Sequence, residues 1–452
     1  MGSTTIIWDG GHVGGSARCV LDALVDVLGE QGETIDVVDA SSSPVAHCIG
    51  CFRCWDETPG LCKMRDLGAD IARRAITCDR LVLLSSVTFG GYSGSIKRVL
   101  DRIALPRLLP YFTSVQGEIH HMLRYDIPLK LIILGIQSNS DGIDERVFRT
   151  LAGRNAINFH ASSFAVDVLP STVDGATARS RIRSALGRDD ARPTRKVLER
   201  IRPSAHREDP SGGPSQPRRA LLVVGSPKVG ASNSAVLGSE ILGRLRADGI
   251  EISEFVIKAS IRSQDAQELL VEEVRKADVV LLSFPLYVDS IPTLMTEALE
   301  ILHERRSDLT AAGSRKRVFA ICNCGFPEGF QTIPALAIVE RFATKAGMHY
   351  AGGLMLGAGE ALVHEAPLAG PRNGMPPVFH VEEALRLAAT ALAQGSDCPD
   401  SANRKLASSP IPLVPFFAWR SLYCWVGDRI WNQIAAKHGL KVQAMRARPF
   451  VA

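Results

Sequence analysis

Four cysteines, Cys48, Cys51, Cys54 and Cys62, crowd into the stretch HCIGCFRCWDETPGLC. Two residues separate Cys48 from Cys51 and Cys51 from Cys54; seven separate Cys54 from Cys62. The start of the chain, MGSTTIIWDGG, lacks the basic, apolar and small-residue order of a secretory signal. A cytoplasmic, reducing setting is therefore expected, in which clustered thiols point to metal or redox chemistry rather than to disulfides. Four thiolates on one loop suit an iron–sulfur cluster. They also suit zinc, although zinc more often takes two separated Cys-x-x-Cys pairs. Free thiols with nothing bound are the third reading. Cys19, Cys78, Cys322 and Cys324 read as core residues, and Cys398 has no assignable role.

A second set of candidate residues lies in loops that follow apolar strand segments. Gly225 to Ser234, GSPKVGASNS, joins a strand to a helix and offers Ser226, Lys228, Ser232, Asn233 and Ser234. Hydroxyls, a cation and helix N–H groups in one loop suit a phosphate dianion. The loop has neither the Gly-Lys-Ser/Thr of a Walker motif nor the dinucleotide glycine pattern, and an ordinary capped turn is the plain alternative. Pro285, Leu286, Tyr287, Val288 and Asp289 form the next loop, with Thr88, Phe89, Gly90, Gly91 and Tyr92 as its counterpart in the first half. An aromatic among small residues can cover a flat ring while amides reach its polar edge. Core packing is the rival role for Tyr287, Phe89 and Tyr92. Asn323, Gly325 and Phe326 sit in a third loop. Three such loops at one sheet edge fit a mononucleotide with a planar head, that is, FMN.

The elements that position these loops repeat. TTII and ALLVV begin the two halves, followed by TIDVVDA and EISEFVI, DRLVLLSS and DVVLLSF, LKLIILGI and KRVFAICN. Amphipathic helix patterns alternate with them, which predicts parallel sheets covered on both faces. The 452 residues exceed one ordinary core. The expected fold is α/β, two flavodoxin-like doubly wound parallel-sheet domains in tandem: 1–187 with the cysteine loop, a linker over 188–217, 218–395, and a tail over 396–452. From Ser16 to Ser85 is 69 positions, and from Ser232 to Ser283 is 51, so the first half carries 18 more residues where the cysteines lie. A net charge of +4 does not suggest nucleic acid as a partner.

Taken together, GSPKVGASNS, FPLYVDSIP, NCGFPEGF and SSVTFGGYSGSIKRVLDR resemble the NAD(P)H-dependent FMN reductase family of flavodoxin-like proteins. The cysteine segment resembles the iron–sulfur flavoprotein branch, matching its motif at Cys48, Cys51, Cys54 and Cys62. The resemblance implies FMN, a 4Fe–4S cluster on those cysteines, NAD(P)H as electron donor, and a small-molecule acceptor such as a quinone, a flavin or oxygen. The first half departs from the pattern. Asp9-Gly10-Gly11-His12 stands where the family has Gly-Ser-Pro-Arg/Lys, so Asp9 brings negative charge towards a phosphate that His12 would partly offset.

The tail holds three of the five tryptophans, with Trp419, Leu422, Tyr423, Val426, Ile430 and Ile434 at helical spacing. A helix packed on a domain or partner is the expected reading, ahead of contact with a membrane surface. The expected function is an FMN-dependent oxidoreductase acting as a pseudo-dimer within one chain, with a homodimer of two independent modules as the alternative. A non-catalytic electron carrier or redox sensor is the rival class, and a zinc-stabilised scaffold with vestigial flavin sites the third.

Overall fold

The computed structural model describes residues 2–11, 14–203, 216–309, 316–368 and 377–451, without the side chains of Gly14 and Ser16. The chain divides into two units, Met1–Val197 with Cys424–Ala452, and Leu198–Tyr423.

In the first unit the strands are β1 (Ser3–Trp8), β2 (Thr34–Asp39), β3 (Arg80–Thr88), β4 (Gly91–Tyr92), β5 (Leu108–Val115), β6 (Glu118–Leu123), β7 (Lys130–Gln137) and β8 (Ser163–Pro170). The main sheet runs β2-β1-β3-β7-β8, all parallel, with β4 folded back antiparallel on β3. The second unit has β9 (Arg219–Val224), β10 (Glu251–Val256), β11 (Val279–Pro285), β12 (Arg317–Asn323) and β13 (His349–Leu356) in the order β10-β9-β11-β12-β13, again parallel. Both orders are the 2-1-3-4-5 winding of flavodoxin-like sheets. Central strands such as Leu81–Leu84 and Val279–Leu282 are buried along their length, as a sheet covered on both faces requires. The expected pair of doubly wound domains is thus what the chain forms.

The structure adds detail in three places. A hairpin, β5–β6, stands apart from the main sheet of the first unit. Its turn, Gln116-Gly117, has φ of 52° and 83°, which matches the twist of a two-residue hairpin. Of the polar stretch 188–217, read as a linker, residues 204–215 lie outside the described residues, and its first part is tied to the first unit. The Asp189 and Asp190 carboxylates accept hydrogen bonds from the Phe164 and Val166 amides at 3.0 and 2.8 Å, and a helix spans Arg195–Ile201. An edge strand needs partners for its outer amides, and these two acids supply them to β8. Residues 396–452 divide between the two units. Cys398, Ala402, Leu406 and Trp419 join the hydrophobic core of the second unit, while Ala435 and Met445 pack with Leu109 and Tyr111 in the first. On the helix Phe416–Lys437 the packing residues are Trp419, Tyr423, Trp431 and Ala435, whereas Leu422, Val426 and Ile430 remain exposed. Among the described residues no helix is long and apolar enough to cross a membrane.

Candidate functional site

The cysteine loop hangs between β2 and the helix Gly68–Thr77. Two left-handed residues, Gly50 (φ 62°) and Phe52 (φ 56°), fold it sharply between Cys48 and Cys54. Phe52 lacks glycine's freedom, so its conformation stores strain of about 1 kcal/mol. Trp55 anchors the loop. Its indole N–H donates to the carbonyls of Leu105 and Leu108, both at 2.9 Å, and its ring packs against Phe52, His121 and Trp431 with centroids 5.3, 4.7 and 5.3 Å away. Asp66 closes the far side. It receives two hydrogen bonds from Arg102, at 2.8 and 2.7 Å, and others from the Ala46 and Gly68 amides at 2.9 Å each. Arg102 also donates to the Ala46 carbonyl at 2.8 Å. One ion pair therefore ties both ends of the loop.

All four thiols lie close enough to interact. Cys48, Cys51 and Cys62 each act electrostatically on Cys54. Burial, with those neighbours, pushes the Cys54 thiol well up, and burial pushes Cys48 up to about 12. Such thiols are poor nucleophiles on their own and become thiolates when a metal binds them. Cys51 is exposed, and Cys48 and Cys62 are half-buried. No three of these sulfurs lie within 4.8 Å of one another. Tetrahedral zinc at about 2.3 Å would draw its sulfurs to about 3.8 Å.

In the first unit the loop after β1 opposes an anion. The Asp9 carboxylate is 1% exposed and accepts from the Ser86 and Ser95 hydroxyls at 3.0 and 2.8 Å. Asp39 approaches the same loop, with the Gly10 amide 3.4 Å away. Burial alone would raise the Asp39 carboxyl, but hydrogen bonds from Ser41, with others behind them, hold it below its ordinary value. His12 lies outside the described residues. Phe89 and Tyr92 are buried, 4% and 2% exposed, and Tyr92 donates to Asn155 at 2.7 Å and meets Phe148 edge-on. Thr88, Gly90 and Gly91 turn the chain back into β4 rather than opening a ring site. The expected ring contacts at Phe89 and Tyr92 are core contacts, because the β4 fold-back drives both side chains inwards. The described part of this loop, Asp9 to Gly11, presents carboxylates, and no chemistry is assigned to it there.

The second unit is built differently. Ser232 caps the helix Asn233–Ala247, whose first N–H groups have no intrahelical acceptor. Ser226, Ser232, Asn233 and Ser234 are buried beside them. Ser234 accepts from the Asn323 amide at 2.9 Å and Asn323 also donates to the Phe284 carbonyl at 3.3 Å, so Asn323 fastens the three loops together. Val288 and Asp289 occupy left-handed conformations, φ 50° and 57°, in a tight turn closed by Tyr287 and Ser290. Two adjacent non-glycine residues there mark stored strain at a sheet edge where ligands bind. Pro285, Leu286 and Tyr287 stay partly exposed.

Several residues at this edge escape a reading of the sequence. Lys228 forms an ion pair with Glu365, Asn233 donates to Glu360 at 3.0 Å, and the Glu365 amide donates to Asn233 at 2.7 Å. Glu365, a carboxylate of the chain's own, thus pairs with the lysine of the loop read as a phosphate site, where an anion meets Lys228 beside the start of the helix Asn233–Ala247. On the third loop, Tyr423 donates to the Gly325 carbonyl at 2.5 Å and Arg420 approaches buried Glu328 at 3.4 Å, with Phe326 half-buried between them in sequence. No local motif signals Glu360, Glu365, Arg420 or Tyr423, since each comes from a segment far along the chain.

Residues 5–139 match the family model described as NADPH-dependent FMN reductase. They span β1, β2, the cysteine loop, β3 and β7. A curated relative, an iron–sulfur flavoprotein of Methanocaldococcus jannaschii, is 30% identical over 88 residues, which is 20% of this chain and 45% of the relative. The chain thus spans about half the length of the curated relative it matches. Among solved structures, an NAD(P)H:quinone oxidoreductase from Methanothermobacter marburgensis is 14% identical and covers 42% of this chain and 98% of its own, with a TM-score of 0.33. An FMN-dependent NADH-azoreductase from Bacillus anthracis is 14% identical over 41% of this chain and 97% of its own, with a TM-score of 0.31. The matched FMN-reductase segment is also the one whose first loop turns carboxylates towards the phosphate position.

Proposed function

We propose that the chain is an NAD(P)H-dependent flavoprotein oxidoreductase that holds FMN on its second unit and a 4Fe–4S cluster on Cys48, Cys51, Cys54 and Cys62 of its first. The carrying observation is that Cys48, Cys51 and Cys62 all act on buried Cys54 within a segment that matches the FMN reductase family model. The bound flavin would supply one- and two-electron chemistry, and the cluster single-electron transfer.

The chain's own residues bind and orient. Ser226, Ser232, Ser234 and the amides at the start of the helix Asn233–Ala247 would receive the phosphate, with Lys228 released from Glu365 to face it. Asn323 keeps the first and third loops in register. Tyr287 stands on a strained, preformed turn beside the place for a planar head. The half-buried cysteine loop limits water at the thiolates while Cys51 keeps one side open to a partner or acceptor. A small acceptor such as a quinone, a flavin or oxygen is the substrate class, and a reducing compartment such as the cytoplasm suits the thiols.

Anaerobic purification with iron, sulfide and FMN assays, followed by NAD(P)H turnover with a dye acceptor, tests this reading. FMN together with iron, acid-labile sulfide and catalytic nucleotide consumption is expected. A colourless protein holding stoichiometric zinc, or one that carries both groups without turnover, would refute it in favour of a scaffold or a carrier respectively.

A further inference from the structure

Arg124, on the segment that follows β6, is 1% exposed. Its Nε donates to the Pro106 carbonyl at 3.0 Å, its Nη1 to Met445 and Ala447 carbonyls at 2.7 and 3.0 Å, and its Nη2 to the Leu108 carbonyl at 3.3 Å. All these acceptors are neutral, and no carboxylate among the described residues pairs with the guanidinium. Buried charges are ordinarily paired, because an unpaired one loses its hydration without return. The ionisable groups that act on Arg124 are Tyr125, Cys54 and Tyr111. Phenols are neutral at neutral pH. Cys54 alone of the three can carry a negative charge there, as a metal-bound thiolate.

The surrounding contacts place the guanidinium against the cysteine loop. The Leu108 carbonyl that accepts from Arg124 also accepts from Trp55, the residue after Cys54. Gly60, between Cys54 and Cys62, sits at φ 85°, and a Cβ there would lie 3.3 Å from Arg124 Cδ and 2.6 Å from Pro449 Cδ. The loop, Arg124 and the segment 445–449 are thus packed without room for a methyl group. Arg102, a further cation that acts on Cys48 and Cys62, already has Asp66 as its counter-charge.

We propose that Arg124 is the counter-charge of the four-cysteine centre: it offsets the negative charge that four thiolates bring, holds the reduction potential of the centre up, and fastens the C-terminal segment against the cysteine loop. The proposal rests on the iron–sulfur reading. Reduction adds one electron, and so one negative charge, to the centre, and a buried cation nearby favours the charged product. Net charge is among the factors that set such potentials. Arg124 acts through Cys54 and is a positioning residue.

The test is an anaerobic redox titration of the full chain with dithionite, followed by EPR and absorbance, for the wild type, Arg124→Met, Arg124→Lys and the surface control Arg448→Met. Wild-type iron content with a midpoint shifted to more negative potential is expected for R124M, and a midpoint near the wild type for R124K and R448M. An unshifted midpoint in R124M, or one as low in R124K as in R124M, overturns the role of Arg124 and leaves the iron–sulfur reading standing. If R124M does not fold, R124K decides: lysine keeps the charge and cannot reach all four carbonyls, so a lowered midpoint there overturns the proposal. A wild-type protein without iron and sulfide overturns the iron–sulfur reading and this one with it.

Discussion

Charge pairs at single residues separate the two candidate cofactor seats. Asp9 in the first unit is held in place by two serine hydroxyls, whereas the Lys228 side chain in the second pairs with Glu365. The Lys228 and Glu365 side chains are 38% and 28% exposed, so their attraction is largely screened and worth at most about 1 kcal/mol. Glu365→Gln should therefore tighten FMN binding by up to about fivefold at low salt, read by quenching of flavin fluorescence. Weaker binding in E365Q would show that Glu365 supports the seat instead of occupying it. The double variant S226D/S232D should lose FMN, because two carboxylates beside the helix N-terminus would repel the phosphate; full occupancy in that variant would remove the assignment. Among the thiols, alanine at Cys48, Cys51, Cys54 or Cys62 should each lose most of the iron. Cys19, Cys78 and Cys398 should tolerate the change with iron retained. The ligand types were legible in the sequence because a single loop carries them. Glu365 and Arg124 were not, because their partners lie 137 and 321 residues away.

Elements were easier to read than the contacts between them. The alternation of apolar strand segments and amphipathic helices specified both sheets, since a parallel strand buried on both faces leaves a continuous apolar run. The hairpin β5–β6 was missed although Gln116-Gly117 between β-branched and aromatic residues signals it, since the parallel winding has no place for it. The cysteine loop has its own element-scale weakness in the pair Asp66–Arg102. Burial alone would raise the Asp66 carboxyl, but the Arg102 hydrogen bonds and the Ala46 amide hold it below its ordinary value. A depressed carboxyl contributes its stability in full above the unfolded value of about 4 and loses it as pH falls through the lower folded value. Below pH 4 the loop should thus loosen, read as pepsin cleavage within residues 47–66 before the rest of the unit unfolds. Arg102 is 1% exposed in its side chain, so Asp66→Ala would leave a buried cation unpaired and cost about 3 kcal/mol. Chemical denaturation with a loss below about 1 kcal/mol would show that the pair is not what holds the loop.

At the scale of the whole chain, two units of one winding have taken different equipment. The first keeps four cysteines and closes its β1 loop with Asp9 and Asp39; the second has no cysteine insertion and offers serines, Lys228 and a capped helix at the matching loop. A duplicated flavin site in both units would leave the carboxylates of the first unexplained, and two independent modules would leave each without the other's redox group. We therefore propose that one chain works as an internal pair, with one FMN and one cluster per polypeptide and electrons exchanged between them within the chain. Metal and flavin analysis should return about four irons and one FMN per chain for a 4Fe–4S centre. Rapid mixing with NAD(P)H should then show flavin reduction followed by cluster reduction, at a rate that does not change when the protein is diluted tenfold. A cluster phase that slows in proportion to dilution would mean that electrons pass between separate molecules, and the internal pair would give way to a homodimer or an encounter between chains. Two FMN per chain would mean that Asp9 and Asp39 move aside in the holoprotein, contrary to the hydrogen bonds that hold them.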